Sequence, residues 1–311
     1  MQKTKNSQPN IVTAKTSGLI YSLAMMCVIV VSLLFSVIIQ LIANKQYGGT
    51  SAATEALKKN TAYIFASFSV TGIVILIFTF IFDKVSGFGV RSAFRIKKPL
   101  KRYWLVSLAA FIGMFLGLSF LNEYFIKFLV KYAGYVYTDT VMPSYSVFNL
   151  IMCVITVCLI PAVAEEFLFR GIMLRGVENC KTWLVCLIGG LLFSVYHMNP
   201  AQTPYQFAVG FLFTMIALKS GSVFPTMVMH FLNNLIIVLC YYFAPHAFDF
   251  TGAPKIILTV IGLLLTAAAI IYSFVFDKNK TIKKDKIKDF AVYSVFGALA
   301  CAVLWAAGLL L

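Results

Sequence analysis

Long apolar runs, separated by short polar and basic stretches, dominate the chain. Most runs hold roughly 20 apolar residues, the length of an α-helix that crosses about 30 Å of hydrocarbon. Lipid offers no hydrogen-bonding partners to exposed backbone groups, and the sequence contains no ten-residue alternating strands, so helices are expected. The predicted spans are 18–44, 62–82, 103–127, 146–174, 182–198, 204–219, 222–244, 255–276 and 290–311. The fifth and sixth are short, so the pattern predicts an all-α, polytopic transmembrane helical bundle of about eight or nine spans.

Composition supports a membrane protein and changes how the net charge is interpreted. Of the 311 residues 60% are hydrophobic and only 12% are charged, whereas a soluble domain carries about 25% charged residues. The net charge of +15 could suggest nucleic acid, but the basic residues lie in loops that flank apolar runs. Such loops set membrane orientation, so we expect a lipid bilayer and no nucleic acid as the surroundings of this chain.

The distribution of basic residues predicts an orientation. If nine spans alternate, 19 Lys and Arg residues lie on the side of the N-terminus and six on the other. Cytoplasmic loops carry the excess of Lys and Arg, so the N-terminus is predicted to be cytoplasmic. The short loops and basic composition further lead us to expect a multi-pass protein of a bacterial cytoplasmic membrane.

Three ionisable residues interrupt the fourth predicted span, in the sequence PAVAEEFLFR (161–170). Charged groups at membrane depth are energetically costly and usually mark function. Glu166 and Arg170 are four residues apart and share a helix face, whereas Glu165 is rotated by about 100°. The spacing therefore predicts that Arg170 holds Glu166 while Glu165 faces the bundle interior. Taken alone, the Glu166–Arg170 pair is equally compatible with a structural ion pair.

Further polar residues are predicted to lie at a similar depth. His197 follows Phe193 by four residues, and His230 precedes Asn234 by four. At 1.5 Å per residue, Glu165, His230, Asn234 and His197 lie roughly 15, 12, 18 and 22 Å from the predicted cytoplasmic ends of their helices. Each residue taken singly has a simpler interpretation: a core histidine, an amide that bridges helices, or packing of Phe193 around His197. Their common layer is what indicates a site.

Such a layer permits two routes to hydrolysis of an amide bond. A carboxylate near a histidine can act as a general base on water, with a second histidine and an asparagine amide donating hydrogen bonds to an oxyanion. Alternatively, Glu165, His197 and His230 could hold a divalent metal such as zinc with an open position for water. No aspartate lies within a predicted span, which excludes a Ser–His–Asp arrangement there.

A non-enzymatic protein is the second hypothesis. A proton-coupled transporter or a bacteriocin immunity factor could use the same polar layer, because intramembrane carboxylates suit proton relays. No internal repeat and no pair of broken helices is visible in the sequence, which argues against a transporter. Gly189 and Gly190 indicate close helix approach in the fifth span.

The three short motifs, EE-x-x-x-R, F-x-x-x-H and H-x-x-x-N, occur in this order on separate predicted helices. The set resembles the CPBP intramembrane proteases, the CAAX-protease and bacteriocin-processing family that includes the type II CAAX prenyl endopeptidases. The resemblance covers about residues 146–244. It divides the chain into an N-terminal tail with three accessory helices (1–145), a catalytic core (146–244) and C-terminal transmembrane helices (245–311).

The resemblance implies an intramembrane endopeptidase that acts on a peptide or membrane-protein substrate and whose site opens toward the cytoplasm. It implies that Glu165 activates water with His197 beside it, and that His230 and Asn234 lie at the oxyanion. Glu166, Arg170 and Phe193 would then support these four catalytic residues. The family has been described both as metalloproteases and as glutamate proteases without a metal. We favour the metal-free mechanism, because the amide of Asn234 suits a hydrogen-bond donor better than a metal ligand.

Overall fold

The computed structural model describes residues 12–137, 141–247, 249–277 and 287–309. Within these ranges the protein is helical and contains no strand, so the predicted all-α class is confirmed. Numbered along the chain, the helices are α1 (Ala14–Tyr47), α2 (Thr50–Lys59), α3 (Thr61–Ser86), α4 (Val90–Ala93), α5 (Arg102–Ala133), α6 (Val147–Arg175), α7 (Thr182–Tyr196), α8 (Thr203–Ser220), α9 (Phe224–Phe243), α10 (Gly252–Phe276) and α11 (Ile287–Ala307).

Local sequence signals account for many of the helix ends. The side chains of Thr13, Asn60 and Ser146 precede α1, α3 and α6, and each accepts a hydrogen bond from a backbone N–H of the first turn. These bonds satisfy donors that a helix start leaves unpaired. Glycines in the left-handed conformation end α1, α3, α5 and α8, where a side chain would be strained. They are Gly48, Gly87, Gly134 and Gly221.

All nine predicted spans coincide with helices as far as the structure describes them, residues 310 and 311 of the last span lying outside the described residues. Among the described helices, seven are long and apolar enough to cross a membrane: α1, α3, α5, α6, α9, α10 and α11. The segments 182–198 and 204–219 form α7 and α8. Helix α7 has 15 residues and is therefore about 22 Å long, shorter than the hydrocarbon core. The protein is thus an integral, multi-pass membrane protein, while the number of spans and the side of the N-terminus stay predictions.

One end of the bundle is formed by the loop between α4 and α5, the turn between α8 and α9, and the residues after α6. Leu100 N–H donates to the Ser220 carbonyl (3.3 Å), and Val223 N–H donates to the Arg95 carbonyl (3.4 Å). Arg95 also pairs with Glu178. Burial lowers the pKa of the Arg95 guanidinium, and Glu178 opposes that shift. We call this the basic end, because it exposes Lys84, Arg91, Lys97, Lys98, Lys101 and Arg102.

The other end, which we call the distal end, brings together the opposite termini of the same helices. The Trp305 indole N–H near the end of α11 donates to Thr203 Oγ1 at the start of α8 (2.7 Å). The Tyr242 hydroxyl near the end of α9 donates to the Pro143 carbonyl just before α6 (2.9 Å). The helices α6, α8 and α9 therefore run between the two ends, and α5 starts at the basic end.

Small residues allow α7 and α8 to pack closely. A Cβ atom on Gly210 would lie 2.9 Å from the Cα atom of Gly190, and one on Gly189 would lie 2.7 Å from Thr214 Oγ1. The close approach predicted at Gly189 and Gly190 is therefore confirmed. Gly210 also contacts α6, because its carbonyl accepts a hydrogen bond from Arg170, as described below.

Candidate active site

The ionisable residues of α6 lie where the helix loosens into a π-helical turn, Glu166–Ile172. The side chains of Glu166 and Arg170 are both completely buried. Arg170 Nη1 donates to Glu166 Oε1 (3.0 Å), and its Nη2 donates to the Gly210 carbonyl (3.3 Å). The structure thus pairs Glu166 with Arg170 and ties the pair to α8.

Aromatic rings surround the Arg170 guanidinium. Its carbon atom lies 4.2 Å from the ring centroid of Phe193 and 5.3 Å from that of Phe213. A cation over an aromatic face is stabilised by the ring quadrupole, more strongly where water is absent. The Phe193 ring also lies 4.8 Å from the His197 ring, centroid to centroid. Phe193 therefore packs against His197, as the spacing predicts, and against the arginine as well.

Glu165 has a different environment from its neighbour. The residue is 7% exposed, and its Oε1 accepts a hydrogen bond from the Tyr196 hydroxyl (3.2 Å). Its Oε2 is buried and has no hydrogen-bond partner among the described residues. Glu166 Oε2 likewise has no partner among the described residues, but Glu165, unlike Glu166, belongs to the lining of the cavity described below. One oxygen of Glu165 is therefore oriented while the other is available for chemistry.

His230 lies between the two carboxylates. From α9 it places Nδ1 3.2 Å from Glu166 Oε1 and Nε2 3.9 Å from Glu165 Oε2. An ionised carboxylate only accepts hydrogen bonds, so Nδ1 carries a proton in its contact with Glu166. The Glu166–Arg170 pair thereby fixes the orientation of the imidazole, and Nε2 is directed toward Glu165.

His197 follows the last residue of α7. Its Nδ1 donates to the Phe193 carbonyl (2.8 Å), which leaves Nε2 as a hydrogen-bond acceptor in the neutral imidazole. The next residue, Met198, has a positive φ of 48°, a rare conformation for a residue other than glycine. The chain therefore turns sharply directly after His197.

Asn234 belongs to a chain of amides that joins three helices. Its Nδ2 donates to the Val157 carbonyl of α6 (2.9 Å), and its Oδ1 accepts from Asn233 Nδ2 (3.1 Å). Asn233 Oδ1 in turn accepts from the Tyr205 hydroxyl of α8 (2.8 Å). In a regular helix the donor to Val157 would be the N–H of residue 161, but Pro161 has none. Asn234 supplies the missing donor.

A cavity of about 510 Å³ connects these groups. Glu165, His197, His230 and Asn234, the four residues predicted as catalytic, all line it. Glu166 and Arg170 are not among its lining residues. The helix α5, predicted to be accessory, provides one side of the cavity through Phe115, Ser119 and Asn122. The catalytic roles of the four residues stay predictions, but the structure brings all four to one space.

Some polar residues of the site were not predicted from the sequence. They are Tyr196, Tyr205, Asn233 and Asn122. Two of them are direct neighbours of predicted residues in the sequence, Tyr196 before His197 and Asn233 before Asn234. Their contacts depend on the rotation of one helix against another, which short motifs do not encode. Asn122 could have been predicted as a site residue, because it places an amide inside the apolar run of α5.

The described residues do not form a ready-made metal site. Among them, no group of three His, Cys, Asp or Glu side chains is positioned to hold an ion. In both histidines Nδ1 is already used, by Glu166 at His230 and by the Phe193 carbonyl at His197, whereas Nε2 of each ring has no hydrogen bond of this kind. The alternative of a zinc site formed by Glu165, His197 and His230 therefore stays a prediction.

Comparison with known families agrees with the motifs. Residues 147–236 match the family model described as type II CAAX prenyl endopeptidase, Rce1-like. The match contains all three motifs and lies within residues 146–244, where the resemblance was recognised. Neither a curated protein nor a solved structure matches the chain.

Proposed function

Because residues 147–236 match the model of the Rce1-like type II CAAX prenyl endopeptidases, an intramembrane protease family, we propose that the protein hydrolyses peptide bonds with a water molecule activated by Glu165. The observation that carries the proposal is Glu165 Oε2, which is buried without a hydrogen-bond partner and belongs to a residue that lines the cavity together with His197 and His230. A carboxylate in this position can accept a proton from water, and a peptide in the cavity would meet the attacking oxygen.

The proposed reaction begins with general base catalysis. Glu165 Oε2 takes a proton from water as the water oxygen bonds to the carbonyl carbon of the scissile peptide. The Tyr196 hydroxyl holds Oε1, so the carboxylate keeps one orientation. The proton then passes from Glu165 to the peptide nitrogen as the C–N bond breaks. This transfer releases a free amine and a carboxylic acid and returns Glu165 to its ionised form.

The histidines provide the remaining polar contacts. The Nε2–H of a protonated His230 can donate to the carbonyl oxygen as negative charge develops there, because Glu166 holds Nδ1 on the other side of the ring. His197 presents Nε2 to the same cavity and can accept a hydrogen bond from the attacking water. One N–H of Asn234 is used by Val157, so only its second N–H can reach an oxyanion.

The test is cleavage of internally quenched peptides by the purified protein in lipid nanodiscs. Glu165→Gln is expected to lower kcat by about 10²–10⁴-fold, the usual contribution of a general base. Tyr196→Phe keeps the carboxylate but removes its hydrogen bond, so we expect kcat to fall about tenfold with KM unchanged, equal to about 1.4 kcal/mol. Glu55→Gln on α2, outside the site, is the control and is expected to leave both constants unchanged.

Full cleavage by Glu165→Gln would overturn the proposed mechanism. Proton-driven uptake that depends on Glu165, with no cleavage of any peptide tried, would instead favour the transporter hypothesis. These results are distinguishable because uptake requires sealed vesicles with a proton gradient, whereas cleavage is measured in nanodiscs without one.

A further inference from the structure

The walls of the cavity become more exposed in one direction. On α9 the exposed fraction rises from 8% at His230 to 48% at Ile237. On α8 Phe213 is fully buried, whereas Gln206, and Gln202 just before the helix, are partly exposed. On α5 the partly buried Phe115 is followed one turn later by the exposed Ser119. The cavity is therefore closed near Glu165 and His230 and more exposed at its other end. We call this more exposed end the mouth; it is lined by Ser119, Asn122, Gln202, Gln206, Asn233 and Ile237.

The mouth points away from the basic end. Helix α9 begins at the basic end with Phe224, so His230 lies roughly 9 Å and Ile237 roughly 20 Å along its axis. Helix α6 ends there with Arg175, so Glu165 is roughly 15 Å and Val157 roughly 27 Å away. The lining residues of α5 and α8 follow the same order, from Phe115 to Asn122 and from Phe213 to Gln206, with Gln202 just before the start of α8.

The charge distribution indicates which side of the membrane the mouth faces. With nine alternating spans, 19 Lys and Arg residues lie on the side of the N-terminus, and these include the basic residues of the basic end. The distal side has six. Cytoplasmic loops carry such an excess. The cavity then opens toward the extracytoplasmic half of the membrane. This differs from the cytoplasmic opening that the resemblance implies.

The chemistry of the mouth indicates what enters. Its polar groups are mainly amides, those of Asn122, Gln202, Gln206 and Asn233. Amides both donate and accept hydrogen bonds, as a peptide backbone does. No Lys or Arg is among the described residues that line the cavity, and Arg170 is completely buried in its pair with Glu166. A free C-terminal carboxylate would therefore find no cation there.

We propose that the substrate is an uncharged, internal polypeptide segment that enters from the extracytoplasmic half of the membrane, with the amides of the mouth binding its backbone. The substrate part of this proposal rests on the proposed function. The direction of the opening does not, because it can be measured without any cleavage.

The first experiment measures the opening by cysteine labelling in intact cells with a membrane-impermeant maleimide. Cys27 and Cys240 are first replaced by serine, because the other five native cysteines are buried. Ser119→Cys and Gln202→Cys at the mouth are expected to react without permeabilisation. The matched variant Lys98→Cys at the basic end is expected to react only after permeabilisation. The reverse pattern would overturn the proposed direction.

The second experiment measures cleavage by the native chain in right-side-out and inside-out vesicles. One quenched peptide carries an uncharged internal site and an amidated C-terminus, and the other ends in a free carboxylate three residues after the same site. We expect the internal site to be cleaved at least about tenfold faster, a difference of about 1.4 kcal/mol, and only in right-side-out vesicles.

Each alternative outcome rejects a different statement. Cleavage only in inside-out vesicles would overturn the proposed direction and leave the protease function standing. A preference for the free carboxylate would overturn the substrate class. Labelling at the mouth from outside, with no cleavage of either peptide in any vesicle, would reject the protease function and the substrate class together, while the direction of the cavity would stand.

Discussion

Glu165 and Glu166 are adjacent in the sequence, yet their carboxylates have separate partners. Glu166 binds Arg170 and His230 and is completely buried. Glu165 binds Tyr196 and keeps one oxygen toward the cavity. The rotation of about 100° between consecutive helix positions is sufficient to separate them. The Glu165 carboxylate is therefore suited to proton transfer, whereas the Glu166 carboxylate neutralises a buried cation.

The two glutamates should therefore differ in their effects on stability. Glu166→Gln leaves the Arg170 charge buried without its counterion, and breaking such a pair costs about 3–5 kcal/mol. We expect a clear fall in the unfolding temperature of the purified protein in detergent. Glu165→Gln, which removes no ion pair of comparable distance, should leave that temperature nearly unchanged.

The double variant Glu166→Leu/Arg170→Met provides the control, because it removes both charges of the pair. It should recover much of the stability lost in Glu166→Gln, since replacing both members of a buried pair with apolar side chains is often close to neutral. A Glu166→Gln protein as stable as the native one would contradict the assignment of Glu166 as the partner of a buried charge.

At the scale of elements, α6 is irregular in the region that carries the site. It contains two π-helical turns, Val154–Leu159 and Glu166–Ile172, with Pro161 between them. Proline removes a backbone donor, and the freed carbonyl must find another partner within lipid. Asn234 meets this need from α9. Asn234 therefore links the irregular part of α6 to α9.

A double-mutant cycle tests this coupling. Asn234→Ala leaves the Val157 carbonyl without its side-chain donor and should destabilise the protein by about 1–3 kcal/mol. In the Pro161→Ala background the backbone N–H of residue 161 can replace that donor. The same substitution should then cost about 1 kcal/mol less. The measurement is the free energy of unfolding of the four proteins in mixed micelles. Equal costs of Asn234→Ala in both backgrounds would show that the contact with Val157 does not depend on the proline.

At the scale of the molecule, the helices outside the family match also contribute to the site. Helix α5 lies outside residues 147–236, yet Phe115, Ser119 and Asn122 form one wall of the cavity. In contrast, α1 and α11 pack against each other through Ser22, whose hydroxyl donates to the Tyr293 carbonyl (2.6 Å). A fragment limited to the matched segment would therefore lack one wall of the cavity.

The proposed metal-free mechanism predicts how activity responds to chelation. Because Glu165 is proposed to activate water without a metal, cleavage should persist after treatment with EDTA and 1,10-phenanthroline. Elemental analysis of the active protein should find less than about 0.1 zinc ion per chain, well short of a full site. Activity that is lost on chelation and restored by zinc would contradict the metal-free mechanism and favour the zinc site formed by Glu165, His197 and His230.

The sequence alone determined the features that depend on a single helix. The lengths of the apolar runs predicted nine helical segments, and all nine are helices, because hydrophobic length and backbone hydrogen bonding are local properties. The four-residue spacing predicted the Glu166–Arg170 pair, because helix geometry places such residues on one face. Helix α2 was not predicted, since it is short and polar and resembles a loop in composition.

The features that depend on the rotation and approach of different helices are visible only in the three-dimensional structure. It placed His230 between the two carboxylates, Tyr196 against Glu165 and Asn234 against Val157. It also made α5 a wall of the cavity and directed the mouth away from the basic end. The spacing of residues along the sequence shows which of them share a face of one helix. Side-chain volumes across the whole bundle determine which faces meet, and no short motif contains that information.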